Sequence, residues 1–194
     1  MLKFQPGAFP IFLVLFGLAS VSAQTRSPEA PAGRNQIFGG YSFFSNSFNG
    51  HSTYGSHQPL NGWNASFAAP LSPRFSIKVD ASGYYGNSLG SPQHPLFFLG
   101  GMQYNKHFGK ETAFLQALAG YGHLNSNWWG GLAPGKTNSF STVGGGGLDT
   151  PLSPRLAFRV EGGLQYADFT IPDDQIRSLP NYFARISTGL VWRF

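Results

Sequence analysis

The sequence predicts an all-β chain of eight antiparallel strands, arranged up and down and closed into a barrel that spans a membrane. Three observations lead there. The last eight residues, Ser187-Thr188-Gly189-Leu190-Val191-Trp192-Arg193-Phe194, alternate along a strand and place Trp192 and Phe194 on one face. Only 11% of the residues are charged, against about 25% in an ordinary soluble domain, which is too little to coat the outer faces of a water-soluble β-domain. The chain also divides into about eight stretches of roughly ten residues between turn signals. Ten residues at about 3.3 Å each, tilted near 45°, cross a hydrocarbon layer.

Residues 1–23 carry Lys3, then an apolar run from Phe9 to Ala19, then Val21-Ser22-Ala23 before Gln24. These are the charged, apolar and small-x-small parts of a secretory signal peptide. The run is too short for a transmembrane helix of about 20 residues, and no later segment supplies one. Cleavage after Ala23 leaves 194 − 23 = 171 residues, enough for one domain. Residues 24–35, with Pro28, Pro31 and Gly33, are pattern-free and are expected to form a flexible N-terminal segment.

The barrel is assigned to residues 36–194, with strands near 36–44, 61–69, 75–85, 96–106, 112–123, 139–149, 156–166 and 182–194. Three strands show their faces clearly. In the third, Phe75, Ile77, Val79, Ala81 and Tyr85 oppose Ser76, Lys78, Asp80 and Ser82. In the seventh, Leu156, Phe158, Val160, Leu164 and Tyr166 oppose Arg159, Glu161 and Gln165. In the eighth, Tyr182, Ala184, Ile186, Leu190, Trp192 and Phe194 oppose Arg185, Ser187 and Arg193. The fourth and fifth are less regular, with Phe97, Leu99 and Leu118 on the unexpected parity.

Alternation alone does not say which face points outward. Aromatics near the strand ends, charges of both signs on the other face, and connections that alternate in length favour apolar-out. Pro70–Arg74, His107–Glu111 and Thr150–Arg155 read as tight turns. Ser45–Leu60, Gly86–Pro95, Leu124–Asn138 and Ala167–Asn181 read as long loops. Pro70-Leu71-Ser72-Pro73-Arg74 recurs as Pro151-Leu152-Ser153-Pro154-Arg155, each copy followed by a cation and an acid two residues apart, Lys78-x-Asp80 and Arg159-x-Glu161. The two copies read as one short turn feeding two equivalent strands. Glycine pairs inside the strands suit the tight curl of a small barrel.

Together these features resemble the OmpA/OmpX-like eight-stranded outer-membrane β-barrel family, from about Gln36 to Phe194. The resemblance implies a signal for the barrel-assembly machinery of the form polar-x-Gly-x-x-aromatic-x-aromatic, filled here by Ser187, Gly189, Trp192 and Phe194. It also implies a monomer in the bacterial outer membrane, among lipid and lipopolysaccharide, with a packed lumen, long loops outside the cell and both termini periplasmic. Larger members add a peptidoglycan-binding domain after the last strand; a sequence stopping at Phe194 predicts none. The function expected is a structural or surface-interaction role, with a lipid A-modifying enzyme or a narrow pore as the alternatives.

Lys78, Asp80, Arg159, Glu161 and Arg185 are expected inside, where eight strands leave room only for side chains and charges must pair; the reading is a structural ion-pair network. Gly130-Gly131-Leu132-Ala133-Pro134-Gly135-Lys136-Thr137 matches a phosphate loop in letters. It lacks the preceding buried strand and following helix that the chemistry needs, so no nucleotide is expected. His51, His57, His94, His107 and His123 have no metal-ligand spacing, and neither metal nor cofactor is expected. An enzyme would need an acid beside His123 and Ser126; none lies nearby in sequence, and fold contacts would have to supply Asp168, Asp173 or Asp174. Net charge is +5, but the cations are scattered, which argues against nucleic acid. The loop aromatics Tyr54, Trp63, Trp128 and Trp129 suit recognition of a sugar or protein surface and equally suit loops resting on lipopolysaccharide. There are no cysteines, so no disulfide supports the exported chain.

Overall fold

The computed structural model describes residues 34–45, 59–88, 91–126, 138–167 and 182–194. The signal-peptide and most of the N-terminal-segment assignments, and the phosphate-loop match, lie outside these residues. Eight strands follow in order: β1 (Gln36–Ser45), β2 (Leu60–Pro70), β3 (Phe75–Ser88), β4 (Ser91–Phe108), β5 (Glu111–Ser126), β6 (Asn138–Pro151), β7 (Leu156–Ala167) and β8 (Tyr182–Arg193). Each pairs antiparallel with the next, and β8 pairs with β1 to close an up-and-down barrel. Closure gives every strand two neighbours, so no backbone edge faces lipid.

The strands are staggered. Followed across the hydrogen bonds, Gln36 leads through Ala68, Lys78, Gly101, Leu118, Val143 and Gln165 to Phe183, one position beyond Ala184, which is the partner of Ser45. One circuit therefore climbs the full length of β1, and the strands tilt accordingly.

The side-chain polarity is inverted relative to a soluble barrel. Ile37, Phe67, Ile77, Val79, Met102, Leu115, Leu148, Val160, Ile186 and Leu190 all face outward and exposed, while Lys78, Asp80, Asp149, Arg159, Glu161 and Arg185 are buried inside. An outward charge near mid-membrane would cost roughly 2–4 kcal/mol, and none occurs there among the described residues. Toward the long loops, Tyr41, Trp63, Tyr85, Phe98, Tyr121, Phe140 and Tyr182 form an outward aromatic belt. Trp63, grouped with the loops on sequence, lies in β2 and donates to the Tyr85 hydroxyl at 3.3 Å.

The repeated Pro-Leu-Ser-Pro-Arg segments adopt one turn twice. In the first, Ser72 Oγ accepts from Phe75 N at 3.1 Å, and Leu71 N donates to Phe75 O at 2.8 Å. In the second, Ser153 Oγ accepts from Leu156 N at 3.1 Å, and Leu152 N donates to Leu156 O at 2.9 Å. The arginine carbonyl of each accepts from the next strand over, from Asn105 N and Arg193 N. The third short turn is a two-residue hairpin, Gly109-Lys110, with φ +61° at Gly109. A positive φ at the first central residue is the requirement that selects glycine there. Gly109→Val should lower stability by about 1–2 kcal/mol, measured as a shift in the urea midpoint in lipid vesicles.

One connection is shorter than expected. The segment Gly86–Pro95 is expected from the sequence as a long loop. Instead β3 and β4 continue pairing to Ser88↔Ser91, and only residues 89 and 90 separate them. The ladder skips from Gly83↔Leu96 to Gly86↔Gln93, an interruption at Pro95, which has no N–H to donate.

Candidate functional site

The strand faces place all five expected charges in the lumen, and the pairing runs across the barrel rather than along each strand. Lys78 and Asp80 sit on β3; Arg159 and Glu161 sit on β7, four strands away. Lys78 Nζ reaches Glu161 Oε2 at 3.1 Å and Gln116 Oε1 at 2.7 Å. Arg185 of β8 forks onto Asp80 at 3.0 and 2.9 Å and touches Glu161 at 3.4 Å. Asn64 of β2 donates to Asp80 Oδ2 at 2.9 Å. Lys78, Glu161, Arg185 and Asp80 thus form one chain of alternating sign that links β3, β7 and β8 through the middle of the lumen.

Arg159 belongs to a second cluster nearer the short turns. It binds Asp149 of β6 with two contacts, 2.6 and 2.9 Å, and donates to Gln36 Oε1 at 3.0 Å. Its guanidinium lies 4.4 Å from the Phe114 ring centroid. Arg193 joins at Asp149 Oδ2, 2.9 Å away. Asp149 was not among the candidates read from the sequence. The run Gly144–Gly147 that precedes it hides the strand parity, and counting inward from Val143 in steps of two is the signal that finds it. The fully buried cations Lys78, Arg159 and Arg185 are matched by Asp80, Asp149 and Glu161.

Above the central chain, toward the long loops, the lumen turns apolar. Each strand contributes one or two side chains: Phe44, Leu60, Tyr84, Phe97 and Leu99, Leu118, Val143 and Ala167, with Phe183 packed against them. The Phe44 and Phe183 rings stack at 4.5 Å. Phe97, Leu99 and Leu118, irregular on sequence, therefore sit where their parity puts them, in a greasy plug inside the barrel. The Tyr84 hydroxyl and Ser187 Oγ both meet Ser42 Oγ, at 3.0 and 2.8 Å. A cavity lined by Gln116, Val143, Glu161, Gly162, Gly163 and Arg185 has no room for a water molecule.

The remaining candidates do not converge. His107 lies at the short-turn end with Nδ1 3.0 Å from Thr112 Oγ1. His94 packs its ring against Tyr85, and His123 Nδ1 is 2.7 Å from Asn138 Oδ1. Among the described residues no group of three histidines, cysteines or acids could hold a metal. His51, His57, Tyr54, Trp128, Trp129, Asp168, Asp173 and Asp174 lie outside the described residues. Of the terminal motif, Ser187 is buried in the lumen, Gly189 faces inward against β1, and Trp192 and Phe194 are exposed on the outer face.

Comparison with solved structures agrees with this geometry. Neisserial surface protein A matches with a TM-score of 0.59 at 12% identity, over 84% of this chain and 98% of that one. Ail, the attachment invasion locus protein of Yersinia pestis, solved in complex with the heparin analogue sucrose octasulfate, matches at 0.56 and 14% identity, over 84% and 100%. The outer-membrane protein OprG of Pseudomonas aeruginosa matches at 0.52 and 15% identity, over 84% and 96%. No protein-family model and no curated protein matches the sequence. The chain has the fold of small transmembrane outer-membrane β-barrels.

Proposed function

We propose that a chain with this fold acts as a small integral protein of the bacterial outer membrane, in a structural or surface-interaction role, with neither a conducting lumen nor a catalytic site. One observation carries the reading: the apolar faces point outward while the interior is filled by paired charges below and by packed rings above. Such a barrel is anchored in lipid and closed along its axis. In this reading residues 1–23 direct export and are removed, and Ser187, Gly189, Trp192 and Phe194 present the closing strand to the barrel-assembly machinery. The long connections face the medium and lipopolysaccharide, and both termini are periplasmic in a monomer. The ion-pair network of Lys78, Asp80, Arg159, Glu161 and Arg185 holds the wall together rather than selecting ions.

The surface-interaction part draws on the loop aromatics and on the sulfated sugar seen with Ail. The enzymatic alternative has less support, because among the described residues the His123 ring is engaged by Asn138 and by no acid. The test uses purified mature protein. Folded protein should migrate anomalously on an unheated gel, show no unitary current in planar bilayers and leave the lipid A mass spectrum unchanged. A compact, detergent-free soluble species would overturn the membrane placement; steady single-channel steps, or a lipid A mass shift lost in His123→Ala, would overturn the closed, non-catalytic role.

A further inference from the structure

Outside the lumen, the charge of the described residues is gathered at one end. Arg34, Arg74, Lys106, Lys110 and Arg155 are all exposed at the short-turn rim, with Glu111 as the one acid beside them. No ion pair among the described residues engages any of the five. The opposite ends of the same strands carry no lysine, arginine, aspartate or glutamate.

These cations are interleaved with protruding apolar side chains. Each Pro-Leu-Ser-Pro-Arg turn holds its leucine 60% exposed, Leu71 in one and Leu152 in the other, beside an exposed arginine. Both leucines continue the outward parity of the strands they leave, β2 and β6. Lys106 points outward from β4 and lays its ammonium 4.9 Å from the Phe108 ring centroid. Phe108, Trp192 and Phe194 are exposed on the same rim. Arg34 reaches the second turn and donates to Pro154 O at 3.3 Å, which brings a second guanidinium close to Arg155.

We propose that this rim binds the phosphate groups of anionic phospholipids in the leaflet it borders. The inference rests on the membrane placement given above. The cations alone would suit any polyanion in water. Leucines held out at the tips of two matched turns, level with exposed Phe and Trp, suit a boundary with acyl chains on one side and headgroups on the other. Long cationic side chains at such a boundary lay their stems on apolar surface and present their charge to phosphate.

The test reconstitutes the mature protein in phosphatidylcholine vesicles and measures, by electron spin resonance, the association of spin-labelled phosphatidylglycerol relative to spin-labelled phosphatidylcholine. Wild type should prefer phosphatidylglycerol at least about twofold at low salt, falling toward parity at high salt as exposed charges are screened. Arg74→Gln/Lys106→Gln/Lys110→Gln/Arg155→Gln should lose the preference yet still insert and shift on the gel, whereas Lys136→Gln should keep it. Insertion without any preference, or a preference that survives the fourfold substitution, overturns the proposal and leaves the membrane placement intact. Rim-dependent binding to purified peptidoglycan without lipid preference assigns the rim to the cell wall and likewise overturns it. Failure to enter any vesicle removes the placement and the proposal together.

Discussion

Glu161→Ala is expected to lower the stability of the folded barrel by about 3–5 kcal/mol, read as urea unfolding in lipid vesicles, because removing one member of a buried ion pair strands its partners. Glu161 is 2% exposed and holds two cations at once, Lys78 at 3.1 Å and Arg185 at 3.4 Å. Without it, among the described residues Lys78 keeps the Gln116 carbonyl oxygen and the Phe114 ring but touches no acid, and Arg185 keeps Asp80. Removing the matched pair, Lys78→Met with Glu161→Leu, leaves no ion unmatched and fills a similar volume, so it should cost clearly less than the single change. The comparison separates a charge that supports the wall from one that serves transport, since a transport role predicts no such order. Equal losses in the two proteins would refute the pairing as the source of stability.

The second large effect lies in the backbone. Gly144 to Gly147 run through the middle of β6, with alternate members facing lipid and lumen. A Cβ on Gly145 would meet the carbonyl oxygen of Gly162 and the Cα of Gly163 far inside contact distance, whereas one on Gly144 would meet nothing within 4 Å. The curl of eight strands presses the neighbouring backbone against the lumen-facing side of Gly145 and leaves the lipid-facing side of Gly144 open. Gly145→Val should therefore cost about 3 kcal/mol or more, beyond the usual range for an overpacked core because backbone must move. Gly144→Val should be tolerated and should even gain lipid contact. Both are read from the fraction of heat-modifiable protein after refolding and from the urea midpoint; similar behaviour of the two variants would contradict the inward crowding.

These same particulars show what could be read from the sequence. The faces of β3, β7 and β8 were plain because their inward residues are charged or polar and their outward ones are not. The repeated turn was plain because its two prolines and serine dictate a local hydrogen-bond pattern that does not depend on the rest of the barrel. The parity of β4 and β5 was obscured by Phe97, Leu99 and Leu118, since a hydrophobic plug inside a membrane barrel makes both faces apolar there. Asp149 was hidden by glycines, which carry no polarity to count. The cross-lumen partners were out of reach for another reason: Lys78 and Glu161 meet only through the stagger of the closed sheet, and in-strand spacing pairs each with the wrong neighbour. The extra length of β3 and β4 was lost to two prolines that a paired strand can hold at the cost of a gap in its ladder.

The seam between β1 and β8 has a kinetic consequence. The first strand to be synthesised finds one of its two partners only when the last strand has followed, so the structure cannot be completed piece by piece from the N-terminus. Until then Ile37, Phe67, Val79 and Leu115 belong to no finished wall, and the unclosed chain is an aggregation-prone polymer. The lifetime of that exposed state is set by the arrival of residues 182–193, which supply the missing partner of β1.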